Sequence, residues 1–252
     1  MPKSKHSLWR KPKHYLGKIL RVMLHRLIIP REFWNRLNLE LDANALLHKL
    51  GVNSEEIKQF SGEFAELEAA LSKRVFSSKL NYLDSFKIES GSAFIIYSII
   101  RKIKPDKIVE TGVANGVSSY YILHALSING RGSLISIDIS HEVGSLLTEE
   151  EKKNWELIVL SKPSKAKFIK AISQIGKMDI FLHDSDHSFN WQRIEYNSAY
   201  IQIRPNGFLM SDDIDSSYAF LDFVEKNKCQ AFVLFDKRKM FGIVPKLSTS
   251  TS

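Results

Sequence analysis

From about residue 89 the chain alternates short apolar runs with helical stretches, and this alternation narrows the possible folds more than any other feature. Runs at Lys107–Glu110, Ser133–Ile137, Leu157–Leu160, Met178–His183 and Phe208–Ser211 are separated by segments long enough to hold a helix. That is the pattern of a parallel sheet covered on both faces. Two further runs, Phe232–Phe235 and Phe241–Val244, have only Asp236 to Met240 between them. So short a link cannot make a parallel crossover, and the pair is expected to run antiparallel at one edge. The expectation is an α/β fold over residues 89–245: a doubly wound, mostly parallel seven-stranded sheet with a reversed edge hairpin. Ligands in such sheets lie at the carboxyl ends of the strands, near the switch in strand order, so those ends are where chemistry is sought.

The residues ahead of this unit read differently. Asn53 with Glu56 makes a capping-box start, and Ile57, Phe60, Phe64, Leu67 and Leu71 follow at three- and four-residue steps. Residues 39–88 are therefore expected to be a helical accessory region with these side chains in a core. Residues 1–38 form a basic amphipathic segment. The formal net charge of +8 comes from here: nine Lys and Arg and no acid fall within residues 1–31, and the remaining chain is close to neutral. Tyr15, Leu16, Ile19, Leu20, Met23, Leu24, Leu27 and Ile28 recur at helical intervals ahead of Pro30. Such a helix either docks on its own domain or a partner subunit, or attaches to an anionic membrane surface. RNA ranks third, because Trp9, Tyr15 and Trp34 are too scattered for a stacking platform, and a nucleic-acid partner is not expected. Association with a second copy of the chain stays open. Residues 246–252 are expected to fray. No apolar run approaches the ~18 residues of a membrane span. The single cysteine, Cys229, excludes an internal disulfide and a cysteine-based zinc site. A cytoplasmic protein, peripheral to a membrane at most, is the expectation.

The first strand runs into Glu110-Thr111-Gly112-Val113-Ala114-Asn115-Gly116-Val117-Ser118-Ser119, followed by a helix that stops at Asn129-Gly130. Gly112 allows a backbone to pass close to a ligand, and Gly116 allows the helix to start tight against the sheet. The second strand ends at Asp138, where a carboxylate can take both hydroxyls of an adenosine ribose. Either half alone is common in tight connections; in order, within one strand–helix–strand unit, they favour a nucleoside-containing cofactor. The turn lacks the Gly-x-Gly-x-x-Gly spacing of dinucleotide binding. Further along, His183-Asp184-Ser185-Asp186-His187-Ser188 and Ser211-Asp212-Asp213-Ile214-Asp215 place several carboxylates at adjacent strand ends. Mutual repulsion there would be relieved by a divalent cation, and oxygen-only ligands point to Mg²⁺. The plainer account is that Asp184 and Asp212 cap the helices that follow.

The segment Val109 to Ser119 resembles the first motif of class I S-adenosylmethionine-dependent methyltransferases, and Asp138 resembles their second. Arg204-Pro205-Asn206-Gly207-Phe208-Leu209 is similar to the turn before their fifth strand, with Asn206 in place of the commoner first glycine. The resemblance covers roughly residues 89–245 and implies a Rossmann-like fold with S-adenosylmethionine as cofactor. Glu110 and the Gly112, Asn115, Gly116 and Ser118 loop would hold the methionine part and Asp138 the ribose, with Asp184 also in the cofactor-binding set. The strand-end acids are similar to those of the metal-dependent O-methyltransferases that act on catechols, caffeoyl thioesters and macrolide or aminocoumarin sugars. This second resemblance implies Asp184, Asp212 and Asp213 as ligands of Mg²⁺ and Asp186 or His187 as the base that deprotonates an acceptor hydroxyl. No Asn-Pro-Pro-Tyr-type sequence follows the fourth strand, which argues against methylation of a nucleobase amine. The competing reading is a non-catalytic binding protein on the same fold, recruited to membrane or RNA.

Overall fold

In the computed structural model, which describes residues 37–83 and 87–247, eight strands form one sheet. They are β1 (Leu37–Glu40), β2 (Lys107–Thr111), β3 (Ser133–Asp138), β4 (Trp155–Val159), β5 (Met178–His183), β6 (Ile203–Ser211), β7 (Ala231–Asp236) and β8 (Lys239–Pro245). Their order is β1-β7-β8-β6-β5-β2-β3-β4. All neighbours are parallel except β8, which runs antiparallel to both β6 and β7. The reversed hairpin is therefore present, but it is not an edge. Leu37–Glu40 pairs outside it, with Leu37 opposite Ala231 and Glu40 opposite Leu234. This eighth strand falls where the sequence suggested only a basic segment and helices; four residues are too few to show a period of two.

Among the described residues seven α-helices cover the sheet: α1 (Ala43–Lys49), α2 (Ser54–Ser77), α3 (Ser90–Ile103), α4 (Val117–Asn129), α5 (Lys165–Ile175), α6 (Phe189–Gln202) and α7 (Ala219–Lys226). The alternation along β2 shows how they are held. Ile108 faces a core built from the first four helices, including Phe60, Phe64, Ile96, Tyr97 and Leu126, while Val109 faces Phe168, Tyr196 and Phe223 from the last three. Both residues are fully buried, so the sheet has no solvated face at its centre. The capping box opens α2 as expected, with Glu56 N–H donating to Asn53 and Asn53 N–H donating to Glu56. Ile57, Phe60, Phe64 and Leu71 are buried and Leu67 packs partly buried against them. Lys246 does not fray: its backbone exchanges hydrogen bonds with Asn206 and Gly207, and its ammonium donates to the Tyr200 and Ile203 carbonyls. Residues 1–36 and 248–252, where the basic amphipathic helix and most of the frayed tail are expected, lie outside the described residues. Among those described, no helix is long and apolar enough to cross a membrane.

One ion-pair cluster fastens α2 to α3. Glu63 accepts from Arg101 Nε at 2.8 Å and from Tyr97 Oη at 2.7 Å. The Arg101 hydrogen bond outweighs burial and holds the Glu63 pKa down to about 2 against an ordinary 4.5. A carboxylate depressed in the folded state adds stability above its unfolded pKa and loses it as pH falls through the folded value. Stability is accordingly expected to decline between pH about 4.5 and about 2. Glu63→Gln should flatten that decline and cost about 1–3 kcal/mol at neutral pH, as for hydrogen bonds to charged groups. Urea unfolding of both proteins across that pH range measures it.

Candidate functional site

The carboxyl ends of β2, β3, β5 and β6 open into one cleft of about 1530 Å³. Hydrogen bonds continue the sheet past the strand ends: Gly112 N–H donates to Ile137, Asp184 N–H to Thr111 and Asp212 N–H to His183. The functional turns are thus positioned by the sheet itself.

Gly112 has φ of 80°, and a Cβ there would lie 2.0 Å from the Asp184 carbonyl oxygen. Its glycine is required by the crossing of two strand-end loops rather than by close approach of a ligand. Gly116 caps α4 with φ of 89°, and its Cβ would press on Gly144 and Leu147. Asn206, at φ of 65°, takes the left-handed backbone expected of a glycine substitute. Thr111, Gly112, Val113, Ala114, Asn115 and Ser118 line the cleft. Asn115 uses its amide to hold the backbone of Asn81 and Tyr82 over the turn. Glu110 does not line the cleft as the resemblance implied. It is fully buried behind the turn, accepting from Ser118 at 3.1 Å, from Ser136 at 2.6 Å and from Ser119. Burial, opposed by those three hydroxyls, pushes its pKa up to about 7.

Asp138 does line the cleft, and its carboxylate has a second task. Oδ2 accepts from Val113 N–H at 2.8 Å and Oδ1 from Ile139 N–H at 2.6 Å, tying the end of β3 to the glycine turn. Beyond it the cleft becomes apolar, with Ile139, Leu160, Pro163 and Phe168 in its wall. A carboxylate thus stands beside an apolar wall in the same cleft. Asp138→Ala should weaken S-adenosylhomocysteine binding by about 1–3 kcal/mol. Part of that loss is expected from a loosened turn, visible by calorimetry together with faster amide exchange at Val113.

At the other end of the cleft the acids gather as expected. Asp184, Asp186, His187 and Asp213 line it, and Asp212 lies fully buried just behind. Asp186 is exposed and accepts from Ser188 N–H at 2.8 Å, which commits one oxygen to the turn before α6. The His187 ring stands between two carboxylates, Nε2 at 3.6 Å from Asp184 and Nδ1 at 3.8 Å from Asp213. Burial opposes a charge on this ring, but Asp184, Asp213 and Asp212 outweigh it and hold its pKa above the ordinary value.

Two residues of the site carried no signal in the motifs. The first is Lys239, whose ammonium lies 2.7 Å from Asp212 and 3.0 Å from Asp213. Its position follows from topology. Because β8 is reversed, its first residue arrives beside the last residues of the parallel strands. The second is Glu195 of α6, which accepts from Thr111, Ser185 and Trp191 and pairs with His183 Nδ1 at 2.6 Å. It joins the ends of β2 and β5 beneath the cleft. The expected Mg²⁺ ligands do not fit that ion as arranged. The ammonium already sits on two of the three carboxylates, and among the described residues no group of His, Cys, Asp and Glu has a metal-holding arrangement.

A parallel sheet with one reversed strand and a glycine turn leading to a strand-end Asp defines a Rossmann-like methyltransferase fold. Residues 109–214 match a family model described as a methyltransferase domain. Several solved structures share the fold. The O-methyltransferase TomG of Streptomyces achromogenes, solved with SAM, matches at 13% identity and a TM-score of 0.53 over 78% of this chain and 91% of that one. Methyltransferase PaMTH1 of Podospora anserina, SAH-bound, matches at 12% identity and 0.51 over 76% and 95%. MycE of the mycinamycin biosynthetic pathway, solved with Mg and SAH, matches at 16% identity and 0.51 over 73% of this chain and 55% of that one. No curated protein matches the sequence.

Proposed function

We propose that the protein transfers a methyl group from S-adenosylmethionine to a hydroxyl of a small-molecule, sugar or glycan acceptor, with His187 as the base. The observation that carries this reading is the position of His187, whose ring is shared by two cavities. One is the long cleft ending at Asp138; the other is a recess of about 400 Å³ walled by Leu37, Leu39, Phe189, Ile214, Tyr218 and Met240. In this reading the cofactor occupies the first, and an acceptor with an apolar face occupies the second. The matches to methyltransferases solved with SAM or SAH support the choice of cofactor.

The glycine turn, Asp138 and the apolar slot around Ile139 bind and orient the cofactor. When bound, S-adenosylmethionine supplies an electrophilic methyl carbon on sulfur. In-line approach is the main requirement of such a displacement, so positioning dominates. His187 takes the acceptor's hydroxyl proton as the new carbon–oxygen bond forms, and Asp184 and Asp213 orient and stabilise the imidazolium. The products are a methyl ether and S-adenosylhomocysteine. No step is assigned to Mg²⁺, because Lys239 holds two of the three carboxylates expected to bind it. Incubation with methyl-labelled cofactor and a panel of hydroxylated acceptors tests the reading. Label in a methyl ether supports it; label found only on nitrogen, or no cofactor binding by folded protein, overturns it.

A further inference from the structure

The strand-end acids present a charge problem that the transfer chemistry does not solve. Asp184, Asp212 and Asp213 converge within one site, and Asp212 is fully buried. A divalent cation would neutralise such a cluster. Here the first residue of β8 offsets one of those charges from within the chain: Lys239 Nζ contacts Asp212 Oδ2 at 2.7 Å and Asp213 Oδ2 at 3.0 Å. We propose that Lys239 is the resident cation of this cluster, a positioning residue in place of a divalent metal, and that methyl transfer proceeds without one.

Three features support the assignment. Mg²⁺ needs near-octahedral oxygen ligands at about 2.0–2.1 Å, and an ammonium on Asp212 Oδ2 and Asp213 Oδ2 takes up those two oxygens, leaving Asp212 Oδ1 as the buried oxygen without a hydrogen-bond partner. Only 7% of Lys239 is exposed, so its ammonium cannot swing into water without withdrawing its stem from between the strands. Its place is also fixed covalently by the tight β7–β8 turn, where Asp236 pairs with Lys239 in register. Asp213 itself takes left-handed backbone, φ 48°, at the start of the 3-10 turn Ile214–Ser216. Holding that carboxylate on Lys239 sets the wall against which His187 Nδ1 rests.

The proposal rests on the methyltransferase reading, and its test separates the two. Mn²⁺ alone is titrated into full-length protein and followed by electron paramagnetic resonance, with S-adenosylhomocysteine calorimetry on the same samples. Wild-type protein should show no stoichiometric Mn²⁺ site, and Lys239→Arg, which keeps the charge, should behave alike. Lys239→Met, which keeps the stem and removes the charge, should gain Mn²⁺ affinity by about tenfold or more as the vacated carboxylates take the ion. Asp212→Asn in that background should abolish the gain. A stoichiometric Mn²⁺ site in wild-type protein that Asp212→Asn removes overturns the proposal, as does a folded Lys239→Met variant with no gain. Loss of S-adenosylhomocysteine binding in wild-type protein would instead overturn the methyltransferase reading and leave the Mn²⁺ result intact.

Discussion

Replacing His187 with alanine is expected to lower turnover by about 10²- to 10⁴-fold, the range for losing a general base, while S-adenosylhomocysteine affinity stays nearly constant. The separation follows from where the ring sits. His187 lines both cavities and follows β5, two strands across the sheet from Asp138 at the end of β3, and its nitrogens face Asp184 and Asp213. Removing it takes away a proton acceptor without removing a cofactor contact at that end. Asp186→Asn is expected to have a smaller effect, since that carboxylate is exposed and turned to Ser188 N–H. Single-turnover rates with calorimetry check both. Equal losses of rate in the two variants would point to the turn as a whole rather than to His187.

Glu195→Ala is expected to destabilise the fold by about 3–5 kcal/mol, the scale for removing one member of a buried pair. Glu195 is 1% exposed and accepts from the Thr111 and Ser185 hydroxyls and the Trp191 indole, besides pairing with His183. Alanine would strip an acceptor from four buried or half-buried groups at once, and His183 Nε2 already has no hydrogen-bond partner. Glu195→Gln, which keeps the shape and one oxygen acceptor, should lose less. Urea unfolding of the three proteins decides it: a loss below about 1 kcal/mol in the alanine variant would mean that water replaces the carboxylate cheaply and that the network does not hold the strand ends together.

The parallel core was legible because fully buried strands leave continuous apolar runs and the helices between them leave periodic ones. The glycine turn and Asp138 were legible because their residue types serve local backbone demands. Asp138 nevertheless proved to hold the turn as well as face the cleft, and Gly112 answers to Asp184 rather than to a ligand. What the sequence hid is long-range. Leu37 and Leu39 become a strand and a cavity wall only because β7 offers them an edge nearly two hundred residues away. Glu195 reads as an ordinary helix residue until α6 is laid against the sheet. Lys239 reads as one of several basic residues in a hairpin turn, and its partnership with Asp212 and Asp213 follows only once β8 is seen to lie between β6 and β7. Glu110 misled for the opposite reason: Ser118 and Ser119, eight and nine residues on in the first turn of α4, bond its carboxylate behind the glycine turn.

The most direct test of the account is calorimetric titration of wild-type protein with S-adenosylhomocysteine in buffer containing EDTA. One saturating site per chain, displaced by S-adenosylmethionine and unchanged by chelation, is the predicted result. Folded protein that releases no heat, or that binds only after a divalent ion is restored, would contradict the assignment of the cleft or of the cation that completes it.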